Sequence, residues 1–315
     1  MRALEGRGAA LPLLAIALVV IVIVAIASMV LLIPWRSTSV NEARSADVTS
    51  EMREVDVSVE QAMGSVEIHF SSETQDAVTM TIRGTVKHNL LSSGNALEIS
   101  WSHEVAGERL IVDAKVDADA YSSTFGSDDL VTVITIPSHL STSVNATGAV
   151  GSVEFVAGEG IALRGGHLAE STGSILAQLS GCSLTGELTL QTSTGSSTLE
   201  WSEVTIPGSA QVRISSSTGG TMMEVQQTVA LGGNLSLDAS SNAGSLSLDL
   251  SIEGGNSARV TSAANLGDVS IGKKVGFTGA TNEDIQSVNY PSQYNMDLAM
   301  EANLGGISMN LEYKA

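Results

Sequence analysis

A glycine followed by a short alternating apolar run recurs along the C-terminal half of the chain. The copies are Gly151 with Val153 and Phe155, Gly173 with Ile175, Gly195 with Leu199, Gly219 with Met222, Gly244 with Leu246 and Leu248, and Gly267 with Val269 and Ile271. Their spacings are 22, 22, 24, 25 and 23 residues. A seventh copy, Gly305 with Ile307 and Met309, follows after 38, which predicts an insertion of about 15 residues between Lys273 and Tyr294. The residues before the glycine repeat as well: Ser171-Thr172, Ser193-Thr194, Ser217-Thr218, Asn242-Ala243, Asn265-Leu266 and Asn303-Leu304. A further short strand precedes most copies, as in Leu188 to Leu190, Val212 to Ile214, Leu235 to Leu237 and Met296 to Leu298. A unit of about 23 residues with two strands and a glycine turn is the length of one coil of a β-solenoid. Seven coils at the ~4.8 Å strand spacing would make a rod roughly 30–35 Å long. A β-sandwich with evenly spaced hairpins is the alternative, but it does not require a glycine at one phase of every unit.

Upstream of the repeats the apolar period is two. Val55, Val57 and Val59 alternate with polar residues, as do Val66, Ile68 and Phe70, Val78, Met80 and Ile82, Leu97, Ile99 and Trp101, and Val131 and Val133 before Ile136. Such alternation marks strands with one buried face. Nothing after residue 36 carries a helical period. Aromatic residues are only 3% of the chain, so the core is built from Val, Leu, Ile, Met and Ala. The expected fold is all-β, with strands over 51–140 and a parallel β-solenoid over 141–315.

Residues 9–34 hold no charged side chain. At 1.5 Å per residue they exceed the roughly 20 residues that cross a ~30 Å hydrocarbon core, and they are read as a single transmembrane helix. Pro12 falls in its first turn, and Trp35 with Arg36 suits the interface. A cleaved signal is the alternative, since Ala25-Ile26-Ala27 fits a cleavage pattern. Cutting there would leave the apolar Met29–Ile33 in water. Arg2 and Arg7 on one side nearly balance Arg36 and Arg44 on the other, so orientation rests on the larger part, which is acidic and rich in Ser and Thr. That part is expected outside the cytoplasm, with residues 1–8 as a cytoplasmic stub and 35–50 as a polar linker. Asn145 and Asn234 open N-x-S/T sequons that a translocated chain would expose to glycosylation. The stretch from Arg7 through Pro12 to Ala15 also resembles the start of archaeal type IV pilin-like precursors, over under a tenth of the chain and without the serine that often precedes the proline.

The strand Val131 to Ile136, closed by Pro137 and leading into Ser/Thr/Asn-x-Gly-Ser/Asp-Ile/Val units, resembles a family of bacterial and archaeal envelope domains known as putative adhesins. The resemblance covers about residues 51–315. It implies a membrane-tethered β-solenoid on the cell surface and provides no catalytic residue to carry over.

The formal net charge is −19. Without Arg2, Arg7, Arg36 and Glu5, residues 37–315 keep 12 basic against 33 acidic side chains, which disfavours nucleic acid as a partner because phosphate neutralisation needs clustered Lys and Arg. The single cysteine, Cys182, permits no internal disulfide and no Cys-based zinc site and reads as a small core residue. The motifs of serine hydrolases, zincins, P-loops and dinucleotide-binding folds are absent. His69, His88, His103, His139 and His167 are dispersed singly. Asp117, Asp119 and Asp128 space out like a calcium loop, but Ser122 stands where an EF-hand needs glycine, so a solvated loop is the better reading. No catalytic, cofactor-binding or metal residue and no cofactor is expected. A polysaccharide-active β-helix enzyme would need carboxylates at one phase of adjacent coils, and Asp238, Asp249 and Asp268 share none. A sensing ectodomain would lack an output domain in eight cytoplasmic residues. The expectation is a membrane-anchored, non-catalytic surface protein for adhesion, interaction or envelope structure, with a glycan or protein partner.

Overall fold

The computed structural model describes residues 35–73, 76–89, 97–118, 130–280 and 284–315. These residues are almost entirely β, in one large, mostly parallel mixed sheet. Residues 9–34, read from sequence as a transmembrane helix, and 119–129, which hold most of the Asp117 loop, lie outside them. No helix among the described residues is long and apolar enough to cross a membrane.

The repeating element is a long strand bent at its glycine. Strands β2 (Glu54–Ser71), β7 (Ser141–Ala157), β8 (Ala162–Ser180) and β10 (Glu187–Ser202) each run continuously through the bend. In later units the halves are separate: β11 (Ser209–Thr218) with β12 (Thr221–Gln227), β13 (Asn234–Ala243) with β14 (Leu246–Glu253), β15 (Asn256–Leu266) with β16 (Val269–Val275), and β19 (Tyr294–Leu304) with β20 (Ile307–Lys314). Parallel pairing of equivalent halves stacks these rungs into two arms joined along the bends. Between rungs the chain closes a short third side through Ile161, β9 (Ser183–Leu184) and Val204 to Ile206, where the Ser183 amide donates to Ile161 (2.8 Å) and the Thr205 amide to Cys182 (2.9 Å).

Spatial order departs from chain order at the end. The last rung, β19/β20, pairs on one side with β13/β14 and on the other with β15/β16. The C-terminal rung is therefore slotted between two rungs that precede it, and β15/β16 forms the terminal edge. The anticipated insertion makes this possible. It carries β17 (Phe277–Thr278) and β18 (Ile285–Ser287), buries Phe277 and Ile285, and pairs β18 antiparallel with the outer edge of β15.

The other end also corrects the sequence reading. Residues 35–50 are not a linker, because β1 (Trp35–Asp47) pairs antiparallel along its whole length with β3 (Ala77–Asn89). Its sparse apolar pattern is that of an edge strand buried mainly at Ala46. The ladder also begins before residue 141, within the strand region expected over 51–140: β2 sits in it, in register with β7 from Glu54 with Ser141 to Ile68 with Phe155. Two extensions complete this end. β6 (Val131–Pro137) and then β3 and β1 continue one arm; β5 (Arg109–Ala118) and β4 (Leu97–Ala106) continue the other.

Alternation turns each rung's apolar residues into ladders. One arm stacks Val59, Ala146, Leu168, Leu190, Ile214, Ala239 and Met300; the other stacks Ile68, Phe155, Ala177, Leu199, Met223, Leu248 and Met309. All are buried in one continuous core, and a small residue such as Ala239 beside the long Met300 keeps the interior filled. At 25 cal/mol per Å2 this apolar area is the main favourable term.

The far edge is guarded. In β16 a register shift between Ile271 and Lys273 places Lys274 beside buried Leu311, where the same column carries Trp201, Val225 and Leu250. Its Nζ donates to the Gly279 carbonyl (2.7 Å). A bulge and an inward-column cation are devices that stop an edge strand from pairing with another chain. Replacing both Lys273 and Lys274 with Val should therefore produce concentration-dependent dimers or larger species on size-exclusion chromatography, with strand content unchanged by circular dichroism.

Candidate functional site

Strand alternation sends every second residue of the β10, β11, β13, β19 and β15 arm to the outer face, and the registers align them in rows. One row reads Gln191, Ser215, Ser240, Glu301 and Ala263; the next reads Thr189, Arg213, Asp238, Ala299 and Thr261. Small side chains at Ser215, Ser240, Ala299 and Ala263 leave a floor between the longer Gln191, Arg213 and Glu301. The result is an open groove of about 670 Å3 crossing five strands. A second depression of about 310 Å3 adjoins it around Ser236, Arg259 and Asp297.

Two of the groove's charged groups, Arg213 and Asp238, are held in place. Arg213 donates to Glu187 (2.5 Å) and to Gln211 (3.0 Å), and the Gln211 amide donates to Asp238 (3.0 Å). Beside the second depression, Arg259 donates to Asp284 (2.7 Å) and the Tyr290 hydroxyl to Asp297 (2.8 Å). The Arg259 hydrogen bond holds the Asp284 carboxyl below its ordinary pKa, while burial and then the Asp297 hydrogen bond raise that of Tyr290. Both guanidinium groups already have carboxylate partners, so Asp238, Glu301 and Asp297 leave the groove net acidic. It offers hydroxyl, amide and carboxylate groups for hydrogen bonding to a polar ligand.

The residues singled out from sequence are scattered. Of the three aspartates, Asp238 lies in the groove, Asp249 on the outer face of the other arm and Asp268 at a bend. His69 stands 3.5 Å from Glu67 on β2, His103 lies on β4, His88 on β3, His167 on β8 and His139 in a turn. Cys182 is buried, and burial pushes its thiol up to about 12, which leaves it without thiolate chemistry. Asp117 pairs with Lys115 (3.2 Å). Among the described residues no group of three or more His, Cys, Asp or Glu side chains could hold a metal ion. Asn145 is exposed on β7, while the Asn234 side-chain oxygen accepts from the Asn295 backbone (3.1 Å).

Two features escaped the sequence reading. Glu200, Glu224 and Asp249 align on adjacent strands of the second arm. The signal was their phase, each five residues after its glycine. The groove itself carried no signal, because its order of strands depends on where β19 inserts.

No family model matches the chain, and no curated protein does. Among solved structures, a putative cell adhesion protein from Clostridium sporogenes is similar over 87% of this chain and 100% of its own, at 11% identity and a TM-score of 0.42. A putative adhesin from Bacteroides fragilis is similar over 86% of this chain and 98% of its own, at 10% identity and a TM-score of 0.36. A putative adhesin from Parabacteroides distasonis covers 86% and 97%, at 12% identity and a TM-score of 0.27.

Proposed function

We propose that the chain is a membrane-anchored, non-catalytic surface protein whose ladder of rungs is a β-solenoid, and that the outer groove of the β10 to β15 arm is its binding surface. The observation that carries this reading is the groove, an open concavity paved with Ser, Thr, Gln and carboxylate side chains in rows at the strand spacing. Such rows suit a polyhydroxylated chain lying across the strands, since every rung presents a polar side chain in at least one of the two rows. A glycan is accordingly the favoured ligand. The apolar run 9–34 supports the anchor. Because β1 begins at Trp35, the solenoid would rest close to the membrane surface with no stalk between.

A glycan array probed with the full-length, detergent-solubilised protein tests the reading. Retention is expected for the parent chain, with at least a tenfold loss in Ser240→Trp, which fills the groove. Retention of nothing, or of the same glycans equally by Ser240→Trp, would contradict it.

The Glu200, Glu224 and Asp249 column favours a second reading, a polysaccharide-active enzyme, since paired carboxylates on one face are the groups such catalysis uses. These three lie outside the groove, which is why binding ranks first. Release of reducing ends from a polysaccharide mixture, abolished in Glu224→Gln, would reverse that order.

A further inference from the structure

Just inside the glycine bends, one core column of the first arm is polar: Gln61, Glu170, Thr192, Ser216 and Ser241 occupy successive aligned positions, with Gly148 between Gln61 and Glu170. Two of its hydroxyls find partners within the core, while Ser216 Oγ has none. Thr192 and Ser197 lie 3.2 Å apart and share a hydrogen bond, and Ser241 donates to the Gly219 carbonyl (3.3 Å). Glu170 is different. It is only 2% exposed, and neither carboxylate oxygen has a hydrogen-bond partner.

The carboxyl fills the space that Gly148 leaves. A Cβ at position 148 would collide with Glu170 Oε2, so the side chain lies in the slot of the neighbouring rung. The residues aligned with it in this column are uncharged: Gln61 on β2, Gly148 on β7 and Thr192 on β10, itself bonded to Ser197 of the opposite arm. Charged side chains on the surrounding strands, Glu60 on β2, Lys115 and Asp117 on β5 and Glu187 on β10, sit at exposed, outward positions, and no charged side chain contributes to the titration of Glu170. A lone carboxylate in such a place must bind a proton or a cation. The nearby backbone N–H groups of Thr172 and Gly151 are donors that offer a cation no ligand, and their pull toward the ionised form is smaller than the cost of burying it, which leaves the proton.

We propose that Glu170 is a proton-binding site built into the core, and that its ionisation loosens the β7, β8 and β10 rungs from within. Burial pushes the carboxyl up to about 7, against the partial opposition of those two amides. The folded pKa is thus raised above the value of 4.5 expected in an unfolded chain. The native state then holds the extra proton, so the contribution is fully present below about pH 4.5 and is lost as pH rises through 7. Repulsion among the many surface acids also weakens the protein on going to higher pH, but it acts equally on a variant at this one buried position.

The test is urea unfolding of the full-length protein and of Glu170→Gln at fixed ionic strength from pH 5 to 8. The expected result is that the ratio of their unfolding constants changes by roughly a hundredfold across that range, the variant gaining relative to the parent as pH rises. A ratio independent of pH overturns the proposal, as does a pH dependence removed by EDTA, which would mark a bound cation. Should Glu170→Gln fail to fold, amide hydrogen exchange of the parent decides. Corrected for intrinsic rates, protection over 141–202 should fall between pH 5.5 and 8 relative to 294–314, and an unchanged ratio contradicts the proposal.

Discussion

Gly195→Ala should unfold the protein or destabilise it by at least about 4 kcal/mol, in the range reserved for strain and backbone collision. Gly195 holds a φ of 136°, which L side chains rarely adopt. A methyl group built on it would also fall inside the carbonyl oxygen of Gly173, the equivalent glycine of the adjacent rung. That oxygen belongs to backbone fixed by the ladder and cannot swing away. The same collision repeats down the column in the spatial order Gly64, Gly151, Gly173, Gly195, Gly219, Gly244, Gly305 and Gly267. Gly158→Ala is the control. That glycine has no positive φ and open space around its missing Cβ, so the substitution should be neutral or stabilise by a few tenths of a kcal/mol. Urea denaturation followed by circular dichroism separates the two. Equal effects would mean that the bends do not approach one another closely.

Trp201→Ala should cost about 3–5 kcal/mol, the usual penalty for emptying a large core site. Trp201 is 1% exposed, and its indole N–H donates to Gln227 Oε1 (3.0 Å). It anchors a polar brace through the loop side of the rungs. The Gln227 amide donates to Val229 (2.9 Å), the Asn256 amide donates to Val229 (2.8 Å), and the Leu231 amide returns to Asn256 Oδ1 (2.9 Å). Trp201→Phe keeps most of the volume but leaves Gln227 Oε1 unpaired, for about 1–3 kcal/mol. Adding Gln227→Leu to Trp201→Phe should recover none of that loss, because it also frees the Val229 carbonyl from one of its two donors. A double-mutant cycle by denaturant melts reads this coupling. Additive single effects would show that the indole bond contributes little.

The β class, the strands and the glycine period were legible in sequence because burial repeats at every second residue and each tight bend demands glycine. Gly64, Ser65, Val66 and Glu67 repeat the Gly151, Ser152, Val153 and Glu154 pattern, yet 87 residues separate the two glycines and the spacing hid an eighth bend. Strand β1 was hidden because an edge strand such as Val40 to Ala46 has little to bury. The order of the last rungs could not be read at all. Asn242, Asn265 and Asn303 precede their glycines identically, and nothing local distinguishes which pair is adjacent. The groove inherits that ambiguity, since its floor joins Ser240 of β13 to Ala263 of β15 across β19. Glu170 was equally invisible: within the alternation of β8 it differs from the neighbouring ladder positions only by its charge.

The slotted position of the C-terminal rung sets both the terminal edge and the strands of the proposed binding surface. Disulfide trapping tests it most directly. In a Cys182→Ser background, one variant pairs Asn242→Cys with Asn303→Cys and another pairs Asn242→Cys with Asn265→Cys. The Asn303 amide donates to Asn242 (3.2 Å) in the structure and the Asn265 amide to Asn303 (2.6 Å), so residues 242 and 265 stand two rungs apart, roughly 9–10 Å at the spacing of adjacent strands. That separation exceeds the reach of a disulfide. Mild oxidation should therefore crosslink 242 with 303 almost completely and leave 242 and 265 as free thiols. Ready crosslinking of 242 with 265 would place the rungs in chain order and remove the groove.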